Sequence, residues 1–339
     1  MSESESLESD HSTKSKRTEK SKHSTKIVTL NEEPLFLTHL KHDGWAIVKG
    51  VTSKEFAHMT ASKFWDWFEN FETGIDRDDP STWTSIAWPL NVHGIIQCYG
   101  IGHEQFVWDV RMKKAIIKVF AKIYNDDNLL VSFDGANCSK MSRVKTKSWA
   151  HVDQGHKKLG FRCCQGFLNL NKCGVNDGGL VVYEGSHLLH HRFWDKTKKT
   201  STGDWYKFSP QELDMFETVP CIKKVKVCCE PGDLVLWDSR TIHWASAPEA
   251  YEGRDPKRTR MAVYVSYQPS KLASMKDIAK KREAFKQLRM TSHWAAENIK
   301  LCPKFPRTYG NDTCISKFPQ NKEIPALTGR GMHLAGLVD

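Results

Sequence analysis

Apolar positions in this 339-residue chain follow two different periods in two regions. Between Ser53 and Phe71 the residues Phe56, Met59, Phe64, Trp67 and Phe68 recur at helical spacing, and a second such stretch runs from Val110 to Tyr124. Both predict helices that turn one face inward. A third helix is predicted from Met275 to Met290, where Ile278, Ala279, Phe285 and Leu288 stand among many Lys and Arg and place it at the surface. From Leu129 onward short β-prone runs take over: Leu129 to Phe133, Phe161 to Leu170, Leu180 to Tyr183, Val225 to Cys228, Leu234 to Trp237 and Met261 to Tyr267. Turn signals separate them, at Asn176-Asp177-Gly178-Gly179, Glu184-Gly185-Ser186 and Glu230-Pro231-Gly232-Asp233. Short strands punctuated by turns, without helical crossovers, predict a mainly β fold with flanking α-helices: a double-stranded β-helix of the jelly-roll, cupin-like kind.

Composition refines this picture in few places. Residues 1–26 are dominated by Ser, Thr, Lys and Glu and cannot bury enough apolar surface to offset the entropy of ordering, so they are expected to form a disordered tail. Residues 27–339 are then one domain, with its β-helix core at about 128–268. The formal charge is +10, of which the tail carries only +1, so the basic balance belongs to the folded body. Such a body suits an anionic partner, but a nucleic-acid partner is not required by it. No secretory signal and no membrane-length apolar run is present, which predicts an intracellular protein, cytoplasmic or nuclear. The Lys14-Ser15-Lys16-Arg17 cluster reads as solvated charge rather than as an import signal. The ten cysteines include no C-x-x-C pair of the kind zinc sites use.

Candidate chemistry begins at His151-Val152-Asp153, which in extended backbone sends an imidazole and a carboxylate to one face. Two neutral imidazoles and one carboxylate, leaving the other coordination positions open, form the facial triad of non-haem iron(II) oxygenases. The second imidazole is expected from His243, delivered by Asp238-Ser239-Arg240-Thr241-Ile242-His243 just past the core run Leu234 to Trp237. This chemistry needs a ketoacid co-substrate whose far carboxylate is best met by an arginine fork. Of Arg254, Arg258 and Arg260, only Arg260 opens a strand-like run, where alternation groups it with the small Ala262 and with Tyr264.

The joint pattern resembles the phytanoyl-CoA dioxygenase family. It is carried by Trp149-Ala150-His151-Val152-Asp153-Gln154, Gln165-Gly166-Phe167-Leu168-Asn169-Leu170, Asp177-Gly178-Gly179-Leu180 with Gly185-Ser186-His187, and Trp237 to His243. It continues through Arg260-Met261-Ala262-Val263 and on to Thr291-Ser292-His293-Trp294. The resemblance implies iron(II) on His151, Asp153 and His243, 2-oxoglutarate on Arg260, consumption of O2 with release of succinate and carbon dioxide, and hydroxylation as the usual outcome. Related enzymes that halogenate lack the carboxylate ligand, so Asp153 favours hydroxylation. The interval of 17 residues from His243 to Arg260 is longer than the family pattern, which keeps Arg254 as an alternative anchor.

A small-molecule substrate is expected, with an anionic or acyl-CoA-like one suiting the basic body. Two other readings compete: a catalytically inactive β-helix that binds a partner through its basic surface, and a barrel that holds another divalent metal. Gln165, Trp149 and Asn137 are candidate pocket walls, and Asp238 with Arg240 a candidate brace for His243. His187, His190 and His191 read as structural, and His93 and His103 as part of a loop over the pocket mouth.

Overall fold

In the computed structural model, which describes residues 33–143, 147–304 and 323–338, the β-prone runs pair into two antiparallel sheets. The strands are β1 (Trp45–Val48), β2 (Ile95–Ile96), β3 (Leu129–Val131), β4 (Ala136–Ser139), β5 (His151–Val152), β6 (Cys164–Asn169), β7 (Gly179–Glu184), β8 (Tyr206–Lys207), β9 (Lys223–Lys226), β10 (Leu234–Asp238), β11 (His243–Ser246) and β12 (Arg260–Pro269). The larger sheet runs β1-β10-β6-β12-β4-β2, with β3 also on β12, and the smaller runs β8-β5-β11-β7-β9. The two form an open sandwich with flanking helices rather than a closed barrel. The tail expected over residues 1–26 lies outside the described residues.

Period-two alternation decides which side chains enter the space between the sheets. Val235 and Trp237 of β10 turn inward to meet Phe167 of β6, Leu180 and Val182 of β7 and Ala262 of β12. The alternate residues Leu234, Leu236, Leu168, Met261, Val263 and Val265 turn outward against the helices. On the outer face of the smaller sheet, Val152, Val181, Tyr183 and Trp244 are covered by Phe193, Phe208 and Phe216. Each such buried side chain contributes roughly 1.5–3 kcal/mol. The polar residues that alternation sends into the same interior, His151, Gln165, His243 and Arg260, therefore call for a specific reason.

Helices α1 (Leu35–His42), α2 (Lys54–Glu69), α3 (Gln105–Arg111), α4 (Lys114–Tyr124), α5 (His190–Thr197), α6 (Pro210–Glu217), α7 (Met275–Lys286) and α8 (Gly329–Leu334) complete the described elements. Ser53 caps α2 by accepting from the Phe56 N–H at 3.2 Å, and Ala57, Phe64 and Phe68 are its fully buried apolar residues. The helical stretch expected from Val110 to Tyr124 is broken at Met112 and Lys113. Arg111 turns inward there and donates to the Gly102 and Asp134 carbonyls, and α4 then buries Ile116, Val119 and Phe120. The run expected over Val225 to Cys228 pairs two residues earlier, as a Lys-rich edge strand that resists further pairing. Among the described residues no helix is long and apolar enough to cross a membrane.

Gly44 ties α1 and β1 to the segment that leads into β11. Its carbonyl accepts from the Asp238 N–H at 2.9 Å and from the Thr241 hydroxyl at 2.8 Å. Its φ is +78°, and a Cβ there would overlap the His187 ring and lie 2.5 Å from Thr241 Oγ1. Gly44→Ala is therefore expected to lower unfolding free energy by about 2 kcal/mol or more in urea denaturation, the sum of left-handed backbone strain and a clash.

Candidate metal centre

His151 on β5 and His243 on β11 are directly opposite each other in the strand pair, so both imidazoles reach the sandwich interior at one level. Their ring centroids are 4.3 Å apart. Asp153 lies just beyond β5, with Oδ2 at 3.6 Å from His151 Nε2 and 3.4 Å from His243 Nε2. One ligand atom from each of the three residues falls within 4.8 Å of the others, an arrangement that could hold a metal ion.

The hydrogen bonds decide which nitrogens are available. His151 Nδ1 lies 3.2 Å from the Trp149 carbonyl, and His243 Nδ1 lies 2.9 Å from the Thr241 carbonyl. A carbonyl only accepts, so each Nδ1 carries the proton and each Nε2 presents a lone pair. Two lone pairs and a carboxylate oxygen thus face one another, an arrangement that repels itself unless a cation sits among them. Burial holds His151 below the usual histidine range, helped by His243 and opposed by Asp153, so its imidazole is neutral as a ligand must be. The Asp153 carboxyl lies well below the usual carboxylate range: burial opposes ionisation, and a proton on His151, His293 or His243 favours it. Gln165 Nε2 donates to Asp153 Oδ2 at 3.0 Å, fixing that carboxylate from the next sheet.

The two ligand-bearing segments are bolted together by backbone. The Asp153 N–H donates to the Ser239 carbonyl at 2.9 Å, and the Ser239 hydroxyl donates to Gln154 Oε1 at 2.8 Å. Arg240 forks onto Asp238 at 3.0 and 2.6 Å, steadying the turn before His243. His187 and His190 serve structure, with Nε2 atoms bonded to the carbonyls of Lys41 and Gln154. His191 pairs with Asp195 in its own helix.

A cavity of about 600 Å³ opens over the triad. Arg260, 4% exposed, enters it with its guanidinium over the Phe167 ring at 5.3 Å and with Nη1 lacking any partner. Arg254 is occupied elsewhere: it pairs with Asp177 at 2.8 Å and donates to the carbonyls of Asn176 and Arg258. Asp177 also takes Arg258, at 2.5 Å. Of the three arginines, Arg260 alone lines the cavity.

Trp149 and His93 also line the cavity, whereas His103 does not; it is buried against Phe133 and Phe285, with Nε2 on the Arg289 carbonyl. Asn137 stands behind the wall, donating to the His93 carbonyl at 3.3 Å. Sequence reasoning passed over Asp134, Trp205, Lys207 and His293, all of which line the cavity. Burial raises the Asp134 carboxyl to about 6, and His293 Nε2 is shielded without a partner. Only His293 carried a signal, as part of the Thr291-Ser292-His293-Trp294 motif; Asp134 and Trp205 come from loops and Lys207 from the two-residue strand β8, all brought in by tertiary folding.

Residues 142–249 match the family described as phytanoyl-CoA dioxygenase (PhyH). The chain is 32% identical over 274 residues to "Ava biosynthesis cluster protein O" of Aspergillus versicolor, covering 77% of this chain and 87% of that protein. Among solved structures it is similar to the epimerase SnoN in complex with Fe3+, alpha ketoglutarate and nogalamycin RO (TM-score 0.44, 14% identity, 70% of this chain and 83% of that one). It is also similar to HygX from Streptomyces hygroscopicus with nickel and 2-oxoglutarate bound (TM-score 0.43, 14% identity, 70% and 88%).

The different settings of the two arginines predict different costs of truncation. Arg254→Ala breaks a buried ion pair and is expected to destabilise by about 3–5 kcal/mol. Arg260→Ala removes a buried, unpaired donor and is expected to cost about 1 kcal/mol or less. Urea denaturation of the two variants checks this; equal losses would mean that Arg260 serves structure.

Proposed function

The chain belongs to the phytanoyl-CoA dioxygenase family of iron(II)- and 2-oxoglutarate-dependent oxygenases, and from that premise we propose that it hydroxylates a small molecule held in the cavity over His151, Asp153 and His243. The observation that carries the reading is the triad itself, two Nε2 lone pairs and an ionised carboxylate converging within 4.8 Å, with the unpaired Arg260 Nη1 in the same cavity. These residues fit the group: His151 Nε2, His243 Nε2 and an Asp153 oxygen would hold iron(II), and Arg260 would take the far carboxylate of 2-oxoglutarate.

When bound, iron(II) and 2-oxoglutarate supply the oxidising power, O2 and the ketoacid being converted to carbon dioxide, succinate and one oxygen atom inserted into a substrate C–H bond. The chain's own residues bind, aim and exclude water. The Nδ1 bonds of the two histidines hold both rings, and Gln165 holds the carboxylate. Leu180, Phe167, Trp237 and Ala245 give the cavity an apolar lining in which an unactivated C–H bond can sit close to the triad. Asp153 supports hydroxylation over halogenation, because a halide would need the coordination position it fills. The relative's name places it in a biosynthesis cluster, which supports a small-molecule substrate. An anionic or acyl-CoA-like group on that substrate would meet Lys207 in the cavity wall.

Anaerobic addition of iron(II) and then 2-oxoglutarate to metal-free protein is expected to develop the visible charge-transfer band of the chelated complex. His151→Ala should abolish the band. Arg260→Ala should weaken 2-oxoglutarate by roughly 30-fold or more while leaving iron binding in place, as expected for loss of a buried charge-assisted contact. Folded wild-type protein that gives no band would favour the inactive binding module or another divalent metal.

A further inference from the structure

A metal-binding imidazole must be aimed as well as present, and a single Nδ1–H bond leaves the ring free to rock about that bond. His243 has a bond of 2.9 Å to its carbonyl, whereas that of His151 is 3.2 Å and therefore the weaker restraint. His151 also has a near-parallel ring against it, whereas the ring beside His243, that of Trp237, is tilted by 52° with centroids 5.3 Å apart. The ring against His151 is the Trp149 indole, with ring centroids 4.7 Å apart and planes inclined by 10°. The His93 ring is stacked on the same indole, at 4.2 Å and again 10°. The indole is itself fixed, because Nε1 donates at 3.0 Å to the Ala245 carbonyl of β11, the strand that bears His243.

The outermost ring is held with comparable care. His93 has φ of +53°, in the left-handed region that disfavours a branched or bulky side chain, and is followed by Gly94 at +80°. A Cβ on Gly94 would overlap Ser139, so the turn is seated tightly on β4. The His93 carbonyl accepts from Asn137 on the same strand.

We propose that Trp149 and His93 are positioning residues for the metal site, forming with His151 a three-ring stack that sets the plane in which His151 offers Nε2 to the ion. The indole is stacked on both imidazoles, so Trp149 acts as a plate that couples His93 to His151. His93 lines the cavity, so the stack joins the cavity wall directly to a metal ligand. The proposal rests on the metal reading given above.

Cobalt(II) titration of the metal-free full-length chain, followed by visible absorption, tests it. Trp149→Ala is expected to weaken cobalt(II) by about 10- to 100-fold and to change the shape of the ligand-field bands, the range typical of residues that orient a ligand. Trp149→Phe, which keeps a plate, should recover most of both. His93→Gly removes the outer ring while suiting the left-handed backbone, and should lower affinity several-fold with a smaller band change. Wild-type affinity and spectrum in both Trp149→Ala and His93→Gly would overturn the proposal. Should Trp149→Ala fail to fold by circular dichroism, His93→Gly decides alone. Wild-type protein that takes up no cobalt(II) sinks the metal reading and this inference with it, whereas binding that is indifferent to the substitutions sinks only this inference.

Discussion

Two imidazole lone pairs and a carboxylate oxygen are held face to face across 3.4 and 3.6 Å, with the ring protons committed on the far side of each imidazole. This arrangement is unfavourable by itself, and the rest of the structure supplies the rigidity that maintains it. The β5–β11 register sets the two histidines opposite each other. The Asp153–Ser239 backbone bond locks their segments, and Gly44 anchors the approach to β11 from the opposite direction.

A sandwich can hold such a site because its alternation separates two layers. Most outward positions of β6, β7, β10 and β12 are apolar and pack against helices or the covering aromatic cluster, and the polar exceptions collect on the inner face. The exceptions gather at one place, where they line the cavity with Phe167, Leu180 and Trp237. Apolar burial thus stabilises both layers, and the polar candidate site occupies one part of the inner one. Nη1 of Arg260 and Nε2 of His293 are buried there without a hydrogen-bond partner, an arrangement that costs stability.

Much of this was legible in the sequence because its signals were local. The spacing of His151 and Asp153, the strand run before His243 and the alternation that selects Arg260 are short-range patterns, and the structure brings those four residues to one cavity. That Arg254 is committed to Asp177 was not legible, because the pairing spans a loop and leaves no periodic trace. The break between α3 and α4 was hidden because Arg111 looks like a surface charge until its carbonyl partners are known. His103 and His93 looked alike on one loop, but one is packed in an aromatic cluster and the other faces the site. Asp134, Trp205 and Lys207 reach the cavity from remote segments, and nothing in their immediate neighbours announces it.

The most direct test of the central claim is an anaerobic crystal structure of the protein soaked with iron(II) and 2-oxoglutarate. One ion is expected, bonded to Nε2 of His151, Nε2 of His243 and the Asp153 carboxylate and chelated by the ketoacid, with the far carboxylate of 2-oxoglutarate on Arg260. An ion bound away from these three residues, or a co-substrate carboxylate held by any group other than Arg260, would contradict it.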